Sequence, residues 1–167
     1  MPFEIPENIH PRCARLAWLI GTWRGNGHGD YPTIEPFQFG QEVLFQQDGR
    51  PFIHFMSRAW IVDAEGTFVR DSAQETGFIR PQEDGSLEML ITHMTGFAEI
   101  YYGDLHPERP SFEVTTDAVV RTAAGKEVGL TAAAVGLQIK ALEDEMHQPL
   151  IDRSGRSVVL DTAGRAG

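Results

Sequence analysis

The chain has 167 residues, 17 of them glycine, a single cysteine and a formal net charge of −10. That length suits one domain, or one domain with an appendage, and the glycine content suits a turn-rich β protein. The acidity argues against a surface built to hold phosphate backbones, and one cysteine excludes an intrachain disulfide.

No apolar run approaches the length of a membrane span, and no basic stretch precedes an apolar core at the N-terminus, so a cytoplasmic location and no membrane partner are expected. Pro11 stands where a short helix can begin, and Leu16, Trp18 and Leu19 give that helix an apolar side able to plug a barrel end. Cys13 falls within it. Arg12 and Arg15 would favour a thiolate there, against the plainer reading of a small residue on a short helix. The run Gly21-Thr22-Trp23-Arg24-Gly25-Asn26-Gly27-His28-Gly29 follows. Gly21, Gly25, Gly27 and Gly29 share one face of a strand with Trp23, so most of that face carries no side chain. Such a strand either bends to close a barrel or lets a ligand approach its backbone.

Phe37, Phe39, Val43 and Phe45 alternate with polar residues, Gln41 apart, which predicts a strand with one buried face. Asp48-Gly49-Arg50-Pro51 is a turn. Residues 52–62 form the next strand, with Ile53, Phe55, Ala59 and Ile61 on one side and His54, Met56, Arg58 and Trp60 on the other. After Asp63–Gly66, residues 67–81 read as an interrupted strand, and Asp84-Gly85 is a hairpin signal. Residues 86–94 and 97–102 pair across Thr95-Gly96. A loop at His106–Pro110 leads to two further strands, 111–116 and 118–128. About eight strand signals at regular spacing predict a sandwich or a barrel. Beyond 128 the period changes: Val135, Ile139, Leu142 and Met146 make a helical stripe with Thr131 as its cap, and Val158-Val159-Leu160 suits a short strand.

The glycine strand, Tyr31-Pro32-Thr33-Ile34, Glu75-Thr76-Gly77-Phe78-Ile79-Arg80-Pro81, Asp84-Gly85-Ser86-Leu87-Glu88, Thr95-Gly96-Phe97-Ala98-Glu99, Thr116-Asp117 and Lys126-Glu127-Val128 occur in an order that resembles the nitrobindins, over about residues 10–128. The resemblance implies a mainly β chain folded as an antiparallel β-barrel of the lipocalin or fatty-acid-binding type. It also implies haem b, interaction with nitric oxide, and isomerisation of peroxynitrite to nitrate. Residues 1–128 are then the barrel, and 129–167 an atypical helical C-terminal segment that is not an independent domain. Family positions that line or touch the haem map onto Thr33, Ser72, Ala73, Thr95 and Lys126, with Lys126 placed to pair with a propionate.

The family's axial histidine lies in a Gln-Pro-Leu-x-x-His pattern. Here Gln148-Pro149-Leu150 is followed by Arg153 at the histidine's place, and a guanidinium has no lone pair for iron. His147 is the nearest substitute in sequence, while His54 and His93 lie on predicted strands and can face inward. Loss of the axial imidazole predicts weakened or lost haem binding. The alternative is a haem-free carrier of a small apolar molecule or fatty acid.

A second likeness covers the tail. Leu130–Glu143 and Pro149–Arg156 resemble the recognition helix and wing of LysR-type transcription regulators, with Gly136 and Asp161 as departures. The helices that should brace a recognition helix on DNA are absent before it, so the segment reads as an inherited or fused fragment and nucleic acid is not an expected partner. The family barrel has two more strands in the region this tail replaces. Four outcomes are open: the barrel stays open with two unpaired edges, residues 156–160 return to cover part of one edge, the helix at 130–147 lies across the gap, or two copies dimerise through the open edge.

Overall fold

Eight antiparallel strands are neighbours in space in the order they occupy in sequence: β1 (Gly21–Tyr31), β2 (Ile34–Gln46), β3 (Ile53–Val62), β4 (Phe68–Pro81), β5 (Ser86–His93), β6 (Phe97–Leu105), β7 (Phe112–Arg121) and β8 (Ser157–Leu160). The computed structural model describes residues 7–31, 34–123 and 157–160. A 3₁₀ helix, Pro11–Leu19, precedes the sheet. His10 caps it by accepting the Arg12 N–H on Nδ1, and Pro11 supplies the helical φ of its first turn. No described helix is long and apolar enough to cross a membrane.

The sheet is curled. Seven strands laid flat would separate β1 from β7 by roughly 29 Å, at about 4.8 Å per neighbour. Yet Trp18 of the helix lies 6.3 Å from Trp23 on β1 and 6.4 Å from Phe112 on β7, centroid to centroid. One apolar cluster therefore draws on every strand from β1 to β7, including Phe45, Ile53, Ile79, Leu87, Leu105 and Phe112, with Leu16 and Leu19 of the helix plugged into it. This is the expected antiparallel barrel-type sheet. Among the described residues it stays open between its edge strands β1 and β8.

The motif strand explains part of the curl. Along β1 the face carrying Gly21, Trp23, Gly25, Gly27 and Gly29 is the less exposed one, and Thr22, Arg24, Asn26, His28 and Asp30 point outward. Gly21 has φ +129°, a conformation open to glycine, where the chain turns out of the helix into β1. Trp23 donates its Nε1–H to the Leu19 carbonyl at 2.7 Å and meets Phe45 edge-on, which ties β1 to the plug. At Gly29 the large group that approaches the bare backbone is Phe37 of the same protein, its cross-strand partner. A Cβ at 29 would lie 2.4 Å from that ring.

Two strand readings are corrected. The interruption in 67–81 is a bulge: Arg58 pairs with Gln74 and Trp60 with Asp71, so β4 is one strand that takes an extra step at Ser72 and Ala73. Residues 111–116 and 118–128 are not two strands either. Tyr101 pairs with Thr116 and Ile100 with Ala118, so β7 runs unbroken past a bulge at Asp117 and ends at Arg121.

β8 pairs with Phe112–Thr115 of β7. Residues 157–160 thus return to cover the half of β7 nearer the helix, while among the described residues the sheet stays open between β1 and β8. The predicted helix at 130–147 lies outside the described residues, as do the segments that resemble the regulator.

Candidate functional site

The inner face of the sheet is layered. Near the helix lies the large apolar cluster. At the other end Phe39 and Ala59 are buried with Phe37, Ile61 and Ala73 against them. Between the two runs a belt of polar side chains that strand alternation points inward: Gln41 on β2, Ser57 on β3, Glu75 on β4, His93 on β5, Glu99 and Tyr101 on β6, and Thr116 on β7. Gln41, Ser57, Glu75 and Glu99 are all buried.

The belt is hydrogen-bonded across strands. Gln41 Nε2 donates to Ser57 Oγ at 2.8 Å, and Ser57 is the cross-strand partner of Glu75. His93 stands between two carboxylates: Nδ1 is 3.3 Å from Glu75 Oε1 and Nε2 is 3.1 Å from Glu99 Oε2. Tyr101 donates its hydroxyl to the same Glu99 oxygen at 2.6 Å. An imidazole with an acceptor on each nitrogen needs both protons, so the geometry calls for the imidazolium. Burial pushes the ring's pKa down, and the hydrogen bonds to Glu75 and Glu99 overcome it, raising His93 to about 9. Burial and Glu99 together push the Tyr101 phenol well up, so it remains a donor. Among the described residues Gln41 Oε1 is buried with no hydrogen-bond partner.

Of the residues expected at the site, Ala73 packs in the smaller apolar cluster and Ser72 stands beside it in the β4 bulge. Thr95 sits in the β5–β6 turn, next to Met94, whose N–H bonds the Gln74 carbonyl. These three share the end of the sheet away from the helix. Thr33, Lys126, His147 and Arg153 lie outside the described residues.

The described histidines do not offer an axial nitrogen inside the barrel. His93 faces inward with both nitrogens engaged. His54 faces outward, stacked on Phe78 and bonded to Thr76. His28 is exposed on the outer face of β1. His10 caps the helix, and His106 Nδ1 accepts from the Glu108 and Arg109 amides. Cys13 is buried in the helix, and desolvation raises its thiol pKa, which removes the thiolate reading. No group of three or more His, Cys, Asp or Glu among the described residues is placed to hold a metal ion. Ser72, Ala73 and Thr95 carry small side chains at the end of the sheet away from the helix.

Sequence reasoning missed the belt. The signal was there: Glu75 shares its strand face with Gly77 and Ile79, His93 with Met89 and Ile91, and Glu99 with Phe97 and Tyr101. Charge on the apolar parity of three consecutive strands marks a buried polar network. A concavity of about 520 Å³ runs along β2–β5, lined by Leu44, Met56, Thr76 and Thr92 and also by the belt residues Ser57, Glu75 and His93.

The sequence of residues 12–150 matches the model of the THAP4-like, heme-binding beta-barrel domain. The chain is 58% identical over 127 residues to a protein named peroxynitrite isomerase from Nocardioides sp., covering 76% of each chain. It is 44% identical over 121 residues to a ferric nitrobindin-like protein of Streptomyces griseus, covering 72% of this chain and 64% of that protein's length. Among solved structures, Rv2717c from M. tuberculosis superposes with a TM-score of 0.59 at 29% identity, covering 69% of this chain and 72% of that one.

Proposed function

We propose, on the premise that this chain belongs to the THAP4-like, heme-binding β-barrel family, that it is a nitrobindin-type haem-binding protein acting on nitric oxide and peroxynitrite. The carrying observation is the match to relatives named peroxynitrite isomerase over most of the described barrel, together with an apolar, curled interior plugged at one end. The group would be haem b, held at the end away from the helix by Ser72, Ala73 and Thr95, with Thr33 and Lys126 contributing from outside the described residues. When bound, haem would supply the chemistry that isomerises peroxynitrite. The protein's part is to bind it, seat it and keep water from it.

The axial donor falls to His147 in this reading, because Arg153 stands where the family places its histidine. A second reading is favoured by one observation: the inward-facing histidine, His93, is committed to two carboxylates. On that ground a haem-free carrier of a small apolar molecule is the competing function. Residues 1–128 would serve as the barrel in either case, and 129–167 as its appendage.

Ferric haem titration followed by gel filtration separates the two. A sharp Soret band that travels with the protein, and that catalyses peroxynitrite decay to nitrate, supports the isomerase. A band that stays with free haem, together with an apolar molecule co-purifying in mass spectrometry, supports the carrier.

A further inference from the structure

The polar belt has an unbalanced end. Gln41 is 6% exposed, its Nε2–H is used by Ser57, and its Oε1 has no partner among the described residues. A buried carbonyl without a donor is costly, so the site is set up to gain from a guest that donates. The charge around it is also one-sided: two carboxylates, Glu75 and Glu99, face one imidazolium, His93. A buried excess of negative charge favours a cationic donor and repels a carboxylate head.

Gly25 is the cross-strand partner of Gln41, and Gly27 follows it on the same face. Neither carries a side chain to fill the flank of the Gln41 amide. On the β3 side, Ser57 and its partner Glu75 stand within the reach of a small head group, since cross-strand neighbours are about 5 Å apart. Away from the helix the belt borders the apolar cluster of Phe37, Phe39 and Ala73.

We propose that the Gln41 end of the belt binds the protonated head of a primary amine, its N–H groups given to Gln41 Oε1 and toward Glu75, with the amine's short apolar body lying among Phe37, Phe39 and Ala73. The ammonium head suits the place because it is compact and carries three donors. A fatty acid of the same length presents acceptors and a negative charge to a surface already rich in both. The site needs no iron, but it shares Ala73 with the proposed haem wall, so it is tested without haem.

The test uses the full chain without haem and three probes of equal length: hexylammonium, hexanol and hexanoate. Calorimetry or amide chemical shifts should show saturable binding of hexylammonium, weaker binding of hexanol and none of hexanoate. Gln41→Leu should weaken the amine about tenfold or more, the value of a hydrogen bond to a charged group. Gln41→Glu should tighten it, and serves as the readout if the leucine variant does not fold. Hexanoate or hexanol binding as well as the amine, unchanged amine affinity in the folded Gln41→Leu chain, or no binding of hexylammonium would each overturn the proposal. Because haem is absent throughout, such a failure leaves the haem titration unaffected.

Discussion

Phe37 lies over Gly29: the phenyl ring of one occupies the space where a side chain on the other would stand, across the β1–β2 pair. The glycine is thus required by a specific neighbour. Gly29→Ala should destabilise by about 1–3 kcal/mol, the usual cost of overpacking a filled site. In a Phe37→Ala background the same change should cost much less. Urea midpoints of the four chains measure that coupling, and additive costs would show that the ring is not the obstacle.

His93 ties stability to pH. Its folded pKa is about 9, above the ordinary value of 6.5. The folded state therefore holds a proton that the unfolded chain gives up first. The stabilisation is complete below pH about 6.5 and fades as pH rises toward 9, a loss of about 3 kcal/mol. Denaturant midpoints between pH 6 and 9.5 should fall in the native chain and stay nearly level in His93→Gln. A native profile that rises over this range would contradict the imidazolium.

Glu99 accepts from both His93 and Tyr101, so removing it strands two buried donors. Glu99→Ala should cost about 3–5 kcal/mol, the range for breaking a buried pair. Tyr101→Phe removes one neutral donor and should cost about 1 kcal/mol. Thermal unfolding followed by circular dichroism checks the order, and equal losses would argue against a shared acceptor.

If Arg153 occupies the place of the family's axial histidine, Arg153→His should strengthen haem retention well beyond that of the native chain. His147→Ala should abolish whatever retention the native chain has. Soret absorbance after gel filtration reads both. A native chain whose haem binding survives His147→Ala unchanged would move the donor elsewhere.

β8 shields half of one sheet edge through Thr115 and its neighbours. Proline at 158 or at 159 should disrupt the ladder at whichever N–H faces β7, and leave the other position tolerant. The sensitive variant should associate with rising concentration in light scattering, since the uncovered edge offers unpaired backbone groups. Two monomeric variants would mean that β8 protects nothing.

Much of this fold could be read from residue order. The helix at Pro11, the glycine strand, the faces of β3 and the Asp84-Gly85 turn each rest on local chemistry. The misread places have a common physical origin. At Ser72–Ala73 and at Asp117 an inserted residue shifts the inside–outside alternation, and a continuous strand then reads as a break. The belt escaped for a different reason. Glu75 and Glu99 were legible as letters of family motifs, and His93 as one strand histidine among others. Their meeting depends on register across β4, β5 and β6, which alternation within one strand does not reveal. The axial position was legible only through resemblance, as Arg153.

The contact of Trp18 with both Trp23 and Phe112 has a consequence for the nascent chain. As the polypeptide leaves the ribosome, the N-terminal plug emerges before all seven strands that will enclose it. It must wait, grease exposed, for β7 to arrive. Assembly of such distant partners is slow, and the interval invites aggregation. A holding chaperone that covers Leu16, Trp18 and Leu19 during synthesis would raise the yield of folded protein more than one that acts after release.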